Sequence, residues 1–208
     1  MRPTPTARST ATRQRLLDAA LEVFDRRGVH DARIDDVCRA AGVARATFYR
    51  YFDGKDDVLL ALHDELAAEI LRVADALGPV TPDPSGLATL HRWVDAMLAL
   101  SERWVPVVAW LSEARDPDSA VRRRSVSMTA RFSRQVGRRF AEGGVVDVDA
   151  AMAALAVVAL VDGVSQQVRT WGLAPGRHEV VEALTGQVLV MLHPGLDLRA
   201  VAGPAPRR

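Results

Sequence analysis

Residues 45–51, with the sequence RATFYRY, hold a dense group of side chains that donate hydrogen bonds. Guanidinium and hydroxyl donors of this kind suit the phosphate oxygens of a nucleic acid and the edges of its bases. Phe48 and Phe52 stand at i and i+4, a spacing that puts both rings on one face of a helix. We therefore expect a short helix over about 45–51, with its rings packed inward and its donors exposed. The candidate donors are Arg45, Thr47, Tyr49, Arg50 and Tyr51.

Two further helices must hold this short helix, because a helix of about two turns does not keep its shape alone. The first is predicted over Thr10–Arg27, ends before Gly28, and has an apolar face made of Leu16, Leu17, Ala20, Leu21 and Phe24. The second covers about 34–41, and Gly42 follows it where a tight turn needs a positive φ. A helix, a short turn with glycine and another helix form the helix-turn-helix pattern, whose second helix enters the major groove of DNA.

The stretch from Ile34 to Phe52, IDDVCRAAGVARATFYRYF, and the DGKDDVLLAL that follows it resemble the tetracycline-repressor (TetR) family of transcriptional regulators. The resemblance is strongest over residues 10–60. The positions that match in residue type and spacing are Val37, Ala41, Gly42, Val43, Thr47, Phe48, Tyr49, Phe52 and Lys55.

The resemblance implies an all-α protein of about nine helices in two domains. An N-terminal three-helix DNA-binding domain is expected over 9–54, and a helical ligand-binding and dimerisation domain over 55–193. The glycines and prolines that follow predict a loose tail over 194–208.

The resemblance also assigns roles to the candidate donors. Thr47 and Tyr49 match family positions that hydrogen-bond to phosphate. Lys55 is the one lysine in the chain, and it matches a phosphate contact at the start of the fourth helix. Arg45 is our candidate for a bidentate contact with guanine, and a phosphate contact is nearly as good an interpretation of it.

The sequence departs from the family at the starts of two helices. Ala32 and Arg33 replace the usual Thr or Ser before the second helix, and Ala44 replaces the usual Ser before the third. A lost hydroxyl cap costs about 1 kcal/mol, and it also removes a phosphate contact. We expect Arg33 to compensate electrostatically, and Arg50 and Tyr51 to reach either bases or backbone.

A ligand pocket is expected between the fourth and eighth helices, as the resemblance implies. The apolar candidates to line it are Trp93, Met97, Trp104, Val108, Trp110, Met128 and Phe132. The polar candidates to orient a ligand are His91, Glu113, Asp162 and Gln166. Three of the four tryptophans lie within Trp93–Trp110, which favours a flat apolar or aromatic ligand. The alternative is that such apolar stripes at helical spacing are plain core.

The last two predicted helices, over about 148–171 and 177–192, match the family's dimer interface. The first is apolar nearly all round, with Met152, Leu155, Ala156, Val158, Ala159, Leu160 and Val161. The second carries a seam-like stripe made of Val181, Leu184, Val188 and Met191. A homodimer of this kind reads a pseudo-palindromic operator in double-stranded DNA. A purely intramolecular core is the alternative.

Composition restricts the remaining functions. The net charge is only +1, yet residues 1–55 hold eleven Arg or Lys and seven acids, so the predicted DNA-binding end is basic. We expect a cytoplasmic, nucleoid-associated protein, because the chain lacks a signal-peptide core and 18 uninterrupted apolar residues, and its one cysteine is Cys38. We expect neither an enzyme nor a bound metal or cofactor, since the five histidines lack metal spacing and catalytic motifs are missing.

The function that these observations favour is a homodimeric repressor that a small apolar or aromatic effector releases from its operator. Two alternatives remain open. One is a DNA-binding protein of the same fold that acts without a ligand, as an architectural protein or through a protein partner. The other is a helical small-molecule-binding protein or enzyme whose N-terminal unit is vestigial.

Overall fold

The computed structural model of the protein describes residues 7–113, 120–145, 149–172 and 175–202. Every regular element in these ranges is a helix, so the predicted all-α class is confirmed. The helices are α1 (Ala7–Arg27), α2 (Ile34–Ala41), α3 (Arg45–Tyr49), α4 (Lys55–Asp75), α5 (Pro84–Arg103), α6 (Val105–Glu113), α7 (Ala120–Glu142), α8 (Ala150–Thr170), α9 (Arg177–Leu192) and α10 (Leu198–Ala202).

The described residues divide into two compact units. The first holds those up to Ala67 together with those of 104–124, and the second holds those of 68–103 and those from Ser125 onward. This division differs from the single cut expected after residue 54. The reason is that α4 is one continuous helix whose first part belongs to the first unit, and α6 packs against α1 in that unit.

The first unit is built around the apolar faces of α1, α2 and α3. The buried side chains of these helices and of the turn after them include Leu16, Leu17, Ala20, Phe24, Val37, Cys38, Phe48 and Phe52. Burial of one such large side chain stabilises by about 1.5–3 kcal/mol. This packing fixes α3, which has only five residues and would not persist alone. Gly42 adopts a φ of 63°, as predicted for the turn that leads from α2 to α3.

The core of the second unit lies between α5, α8 and α9, with α7 contributing Phe132, Val136 and Phe140. The predicted seam of α9 is part of this core, because Val181, Leu184 and Val188 are buried there within the single chain. For these three residues the dimer interpretation is therefore wrong, and the intramolecular alternative is correct. Met191 is the member of the stripe that stays exposed.

The segment after α9 is more ordered than the predicted loose tail. Residues 198–202 form α10, which packs against α5 and buries Val201. Leu198 and Val201, three positions apart, give this short helix an apolar side that can dock on the core. The prediction is thus wrong for this part, while residues 203–208 lie outside the described part of the chain.

Helix α8 is covered on one side and exposed on another. Ala153, Ala154, Val157 and Val161 are buried in the core, whereas Met152 is 60% exposed. The stretch Ala150–Val168 has a mean hydropathy of 1.5, long and apolar enough to cross a membrane, and 28% of it is buried in the chain. Within the described residues of the single chain, the face with Met152 is therefore an apolar surface that a further partner can cover.

Candidate DNA interface

The short helix α3 has the orientation that its residue spacing predicts. Phe48 and Phe52 are each 1% exposed, while Tyr49 is 44% exposed. The helix ends at Tyr49, two residues earlier than expected. A hydrogen-bonded turn follows the helix, because the amides of Tyr51 and Phe52 donate to the Phe48 carbonyl at 2.9 and 3.0 Å. The result is a compact exposed edge carrying Arg45, Tyr49 and Arg50.

Arg45 is held by two neighbours on this edge. Its Nη1 donates to Asp35 Oδ1 of α2 at 2.6 Å, and its Nη2 donates to the Tyr49 hydroxyl at 3.1 Å. The guanidinium carbon also lies 5.6 Å from the centre of the Tyr49 ring. The hydrogen bond to Tyr49, followed by that to Asp35, raises the pKa of Arg45. A guanidinium has five N–H donors, so three lie outside these two bonds, enough for a bidentate contact with guanine.

Tyr51 points back to α1 rather than outward. A hydrogen bond with Ser9 lowers the pKa of the Tyr51 hydroxyl, and a second bond with Thr12 acts in the same direction. Tyr51 therefore ties the end of the turn to the start of α1, whereas its contact with bases or backbone stays a prediction. Arg50 beside it is exposed, with its guanidinium carbon 5.9 Å from the Tyr51 ring centre. Thr47 is half-buried.

Lys55 makes its hydrogen bonds within the first unit. Its Nζ donates to the backbone carbonyls of Val29, His30 and Ala32 at 2.7, 3.1 and 3.4 Å. Three carbonyls satisfy the three donors of an ammonium group. This differs from the expected side-chain contact with phosphate: the ammonium joins the first residue of α4 to the loop between α1 and α2.

The start of α2 replaces its missing hydroxyl cap with a carboxylate. Asp36 Oδ2 accepts a hydrogen bond from the Arg33 amide at 3.3 Å, which is one half of a capping box. Burial acts to raise the pKa of Asp36, but the Arg33 amide and the charges of Arg27 and Arg39 outweigh it and lower that pKa. The side chain of Arg33 is exposed, at the edge where a phosphate contact was expected.

Sequence reasoning missed Asp35 as a member of this surface. Acids in the first turn of a helix are ordinary, because they oppose the helix dipole, so nothing in the local pattern distinguished it. Its partner Arg45 lies ten residues later in the chain, across the turn at Gly42. Only the three-dimensional packing of α2 against α3 brings the two side chains together.

The predicted ligand-contacting residues fall in both units. Trp104, Val108 and Trp110 lie in or just before α6, in the first unit. The candidates in the second unit are Trp93, Met97, Met128, Phe132, Asp162 and Gln166.

Three of the second group are packed as core. Trp93 and Met97 are buried, and the rings of Trp93 and Phe132 stack with their centres 6.4 Å apart. This packing favours the core interpretation for these three side chains.

The polar residues predicted to orient a ligand differ from one another in burial and in their contacts. Asp162 is half-buried and accepts a hydrogen bond from Ser101 Oγ at 2.5 Å. Gln166 is exposed, and His91 and Met128 are half-buried. The side chain of Glu113 lies outside the described part of the chain.

Residues 16–62 match the sequence model of the bacterial regulatory proteins of the tetR family. Over 56 residues the chain is 52% identical to the HTH-type transcriptional regulator SrpR of Pseudomonas putida, covering 27% of this chain and 26% of that protein. For two further curated relatives the aligned part covers 42% and 29% of their length. The chain thus spans less than half the length of these relatives.

Solved structures extend the likeness of fold to most of the chain. The fatty acid degradation regulator FadR from Bacillus halodurans aligns with a TM-score of 0.69 and 20% identity, over 94% of this chain and 98% of that one. SCO4454, a TetR-family transcriptional regulator from Streptomyces coelicolor, aligns with a TM-score of 0.63 and 25% identity, over 93% and 97%. The fold of most of the chain is therefore similar to that of these proteins, while the 52% identity to SrpR extends over about a quarter of the chain.

Proposed function

We propose that this chain is a member of the TetR family of bacterial regulatory proteins and a sequence-specific DNA-binding regulator of transcription. The observation that carries the proposal is the exposed edge of α3. Arg45, Tyr49 and Arg50 project from α3 and the turn after it, and Phe48 and Phe52 fix the opposite side. A short helix held in this way can enter a major groove about 12 Å wide and present arginine to base edges.

The active species in this proposal is a homodimer formed through the exposed faces of α8 and α9, with Met191 on the α9 face and the buried stripe of α9 outside the interface. Support comes from the exposed face of α8, where Met152, Ala156, Ala159 and Gly163 recur at helical spacing. Small residues let two helices approach closely, and Met152 adds an apolar side chain that is 60% exposed. A two-fold dimer presents two α3 edges to half-sites about 34 Å apart, so the operator is a pseudo-palindrome. The protein acts in the cytoplasm, at the nucleoid.

The regulatory step in this proposal is release of DNA on binding a small molecule, which makes the protein a repressor and not an enzyme. An effector that binds one conformation of the dimer better than the other shifts the population toward it. If that conformation separates the two α3 edges by a distance that no longer matches successive grooves, affinity for the operator falls. The likeness of the helical body to known regulators supports this step.

A gel-shift assay on the DNA upstream of the protein's own gene tests the proposal, together with in vitro selection from random duplexes. The proposal predicts retention of a short two-fold symmetric sequence against an excess of unrelated duplex. Equal retention of all duplexes, or none, would contradict it.

A further inference from the structure

A groove of about 650 Å³ lies between the second half of α4 and the length of α5, within the second unit. We call it the α4–α5 groove. Its size falls within the range of small-molecule sites, about 300–1,000 Å³. Its apolar lining is formed by Val73, Ala76, Trp93, Ala96, Ala99 and Leu100.

The groove exists because alanines stand where α4 and α5 face each other. Ala76, Ala96 and Ala99 leave space that larger side chains would fill. An ion pair joins the two helices at one end of this space, where Arg103 Nη1 lies 3.0 Å from Glu69 Oε1. Near the other end, a Cβ added to Gly78, just after α4, would stand 3.4 Å from the side-chain Cγ2 of Thr89, an ordinary van der Waals contact.

The rim of the groove is positively charged. Arg72, Arg92 and Arg103 line it against one acid, Glu69. Glu69 lies within ion-pair distance of both Arg103 and Arg72, at 3.0 and 3.7 Å. Arg92 stands at the opposite end of the α5 face, where its Nη2 donates to the Thr89 hydroxyl at 3.3 Å. The lining thus carries an excess of positive charge beside an apolar floor.

Trp93 contributes a nearly buried aromatic side chain to this lining. It is 3% exposed, and its ring stacks on Phe132 with the ring centres 6.4 Å apart. Trp93 therefore supplies an apolar wall of the groove that its own core packing holds in place.

We propose that the α4–α5 groove binds an amphiphilic anion, with its carboxylate at Arg92 and Thr89 and its apolar body along the alanines and Trp93. From Arg92 to Leu100 the face extends about 12 Å along the helix axis, which sets the length of the body. This inference rests on the proposed function in taking the occupant as the effector. It also refines the ligand expected from sequence, since a neutral flat molecule would bring no negative charge to Arg92.

Titration calorimetry of the full chain with decanoate and with 1-decanol tests the charge requirement. Decanoate is expected to bind on the order of tenfold more tightly, because a charge-assisted hydrogen bond is about twice as strong as a neutral one. Arg92→Gln should abolish the difference, while Arg138→Gln, an exposed arginine of α7, should keep it. Equal binding of the two probes, or a preference that survives Arg92→Gln, overturns the charge part of the proposal.

Ala96→Leu tests the location, because leucine fills the groove and is itself a good helix former. Both probes should bind at least about tenfold more weakly to this variant. Ala99→Leu, at a more exposed position, provides a second filling variant if the first alters the melting temperature. Unchanged binding in both variants, or no binding of either probe to the natural chain, overturns the proposal.

The two proposals fail separately. If the chain retains a specific duplex but binds neither probe, the groove assignment is wrong and the regulator assignment stands. If the probes bind as described but no duplex is retained specifically, the groove assignment stands and the regulator assignment is wrong. If decanoate binds the groove without lowering affinity for a retained duplex, the anion is a ligand but not the effector.

Discussion

Arg45 and Asp35 are joined by a 2.6 Å hydrogen bond across the turn between α2 and α3. The bond fixes the plane of a guanidinium that is otherwise exposed, and Tyr49 holds it from the other side at 3.1 Å. A contact group whose orientation is set before binding loses less entropy when it meets its target. We therefore assign Asp35 as a positioning residue for Arg45.

Replacing Asp35 by Asn should relax base preference at the position that Arg45 reads, because the guanidinium loses its charged neighbour. The preferred duplex should lose most of its advantage over a single-base variant, which for a bidentate contact is about 1–3 kcal/mol. Affinity for unrelated duplex should rise slightly, since one negative charge is removed from the surface.

Competition binding against duplexes altered at one base pair measures both effects of this substitution. Asp31→Asn, at another exposed acid of the first unit, is the matched control and should leave the preference unchanged. If Asp35→Asn retains full discrimination, the positioning role is wrong.

Replacing Lys55 by Met should destabilise the first unit. The variant keeps the aliphatic stem but removes the ammonium group that donates to three carbonyls, and such a charged hydrogen bond contributes about 1.5–3 kcal/mol. The salt dependence of DNA binding should stay the same. A phosphate contact would instead give normal stability and a salt slope smaller by about 1.

Urea unfolding and binding across a salt series separate these two outcomes for Lys55. Arg26→Met, at an exposed cation on α1, is the control for loss of a positive charge.

The cap of α2 should weaken in acid. The folded chain holds the pKa of Asp36 below its ordinary value, so its contribution to stability is present above the unfolded pKa of about 4. That contribution is lost as the pH falls through the lower, folded pKa. The gap in unfolding free energy between the natural chain and Asp36→Asn should be constant above about pH 5 and shrink below about pH 4. A gap that does not change with pH would show that the carboxylate charge is irrelevant.

The exposed face of α8 supplies a test of the dimer. Met152→Glu places a charge on a side chain that is 60% exposed in the single chain, so folding of the protomer should be little affected. Burial of an unpaired charge in an interface is costly, so the dimer should dissociate. Sedimentation velocity should then show a dimer for the natural chain and a monomer for Met152→Glu.

Met191→Glu is a second probe of the same region, on α9. A natural chain that sediments as a monomer, or variants that remain dimeric, would contradict the assignment of this interface.

The spacing of apolar residues along the chain predicted most of the helices and the exposed edge of α3. Phe48 and Phe52 at i and i+4 placed the exposed edge of α3 correctly, because the period of a helix alone decides which side chains share a face. The prediction that the stripe of α9 forms a dimer seam depended on spacing alone, and spacing alone cannot decide it. An apolar face at positions such as Val181 and Leu184 must be covered, but spacing does not say whether the cover is the same chain or another.

The contacts that charged side chains make with distant parts of the chain could not be predicted from spacing. Lys55 and Val29 are 26 residues apart, and Arg45 and Asp35 meet only after α2 and α3 have packed. The α4–α5 groove is also invisible in sequence, because alanine suits both a helix interior and the wall of a cavity. Such features depend on where two elements meet, which local pattern does not encode.

If the edge of α3 reads DNA, the affinity for a specific duplex must depend on its arginines more than on other exposed arginines. The duplex recovered by in vitro selection is titrated with the Arg45→Ala, Arg50→Ala double variant and with an Arg26→Ala, Arg138→Ala control of equal net charge. We expect a loss on the order of 100-fold for the first variant and less than about threefold for the second. Equal losses in both, or unchanged affinity in the first, would contradict it.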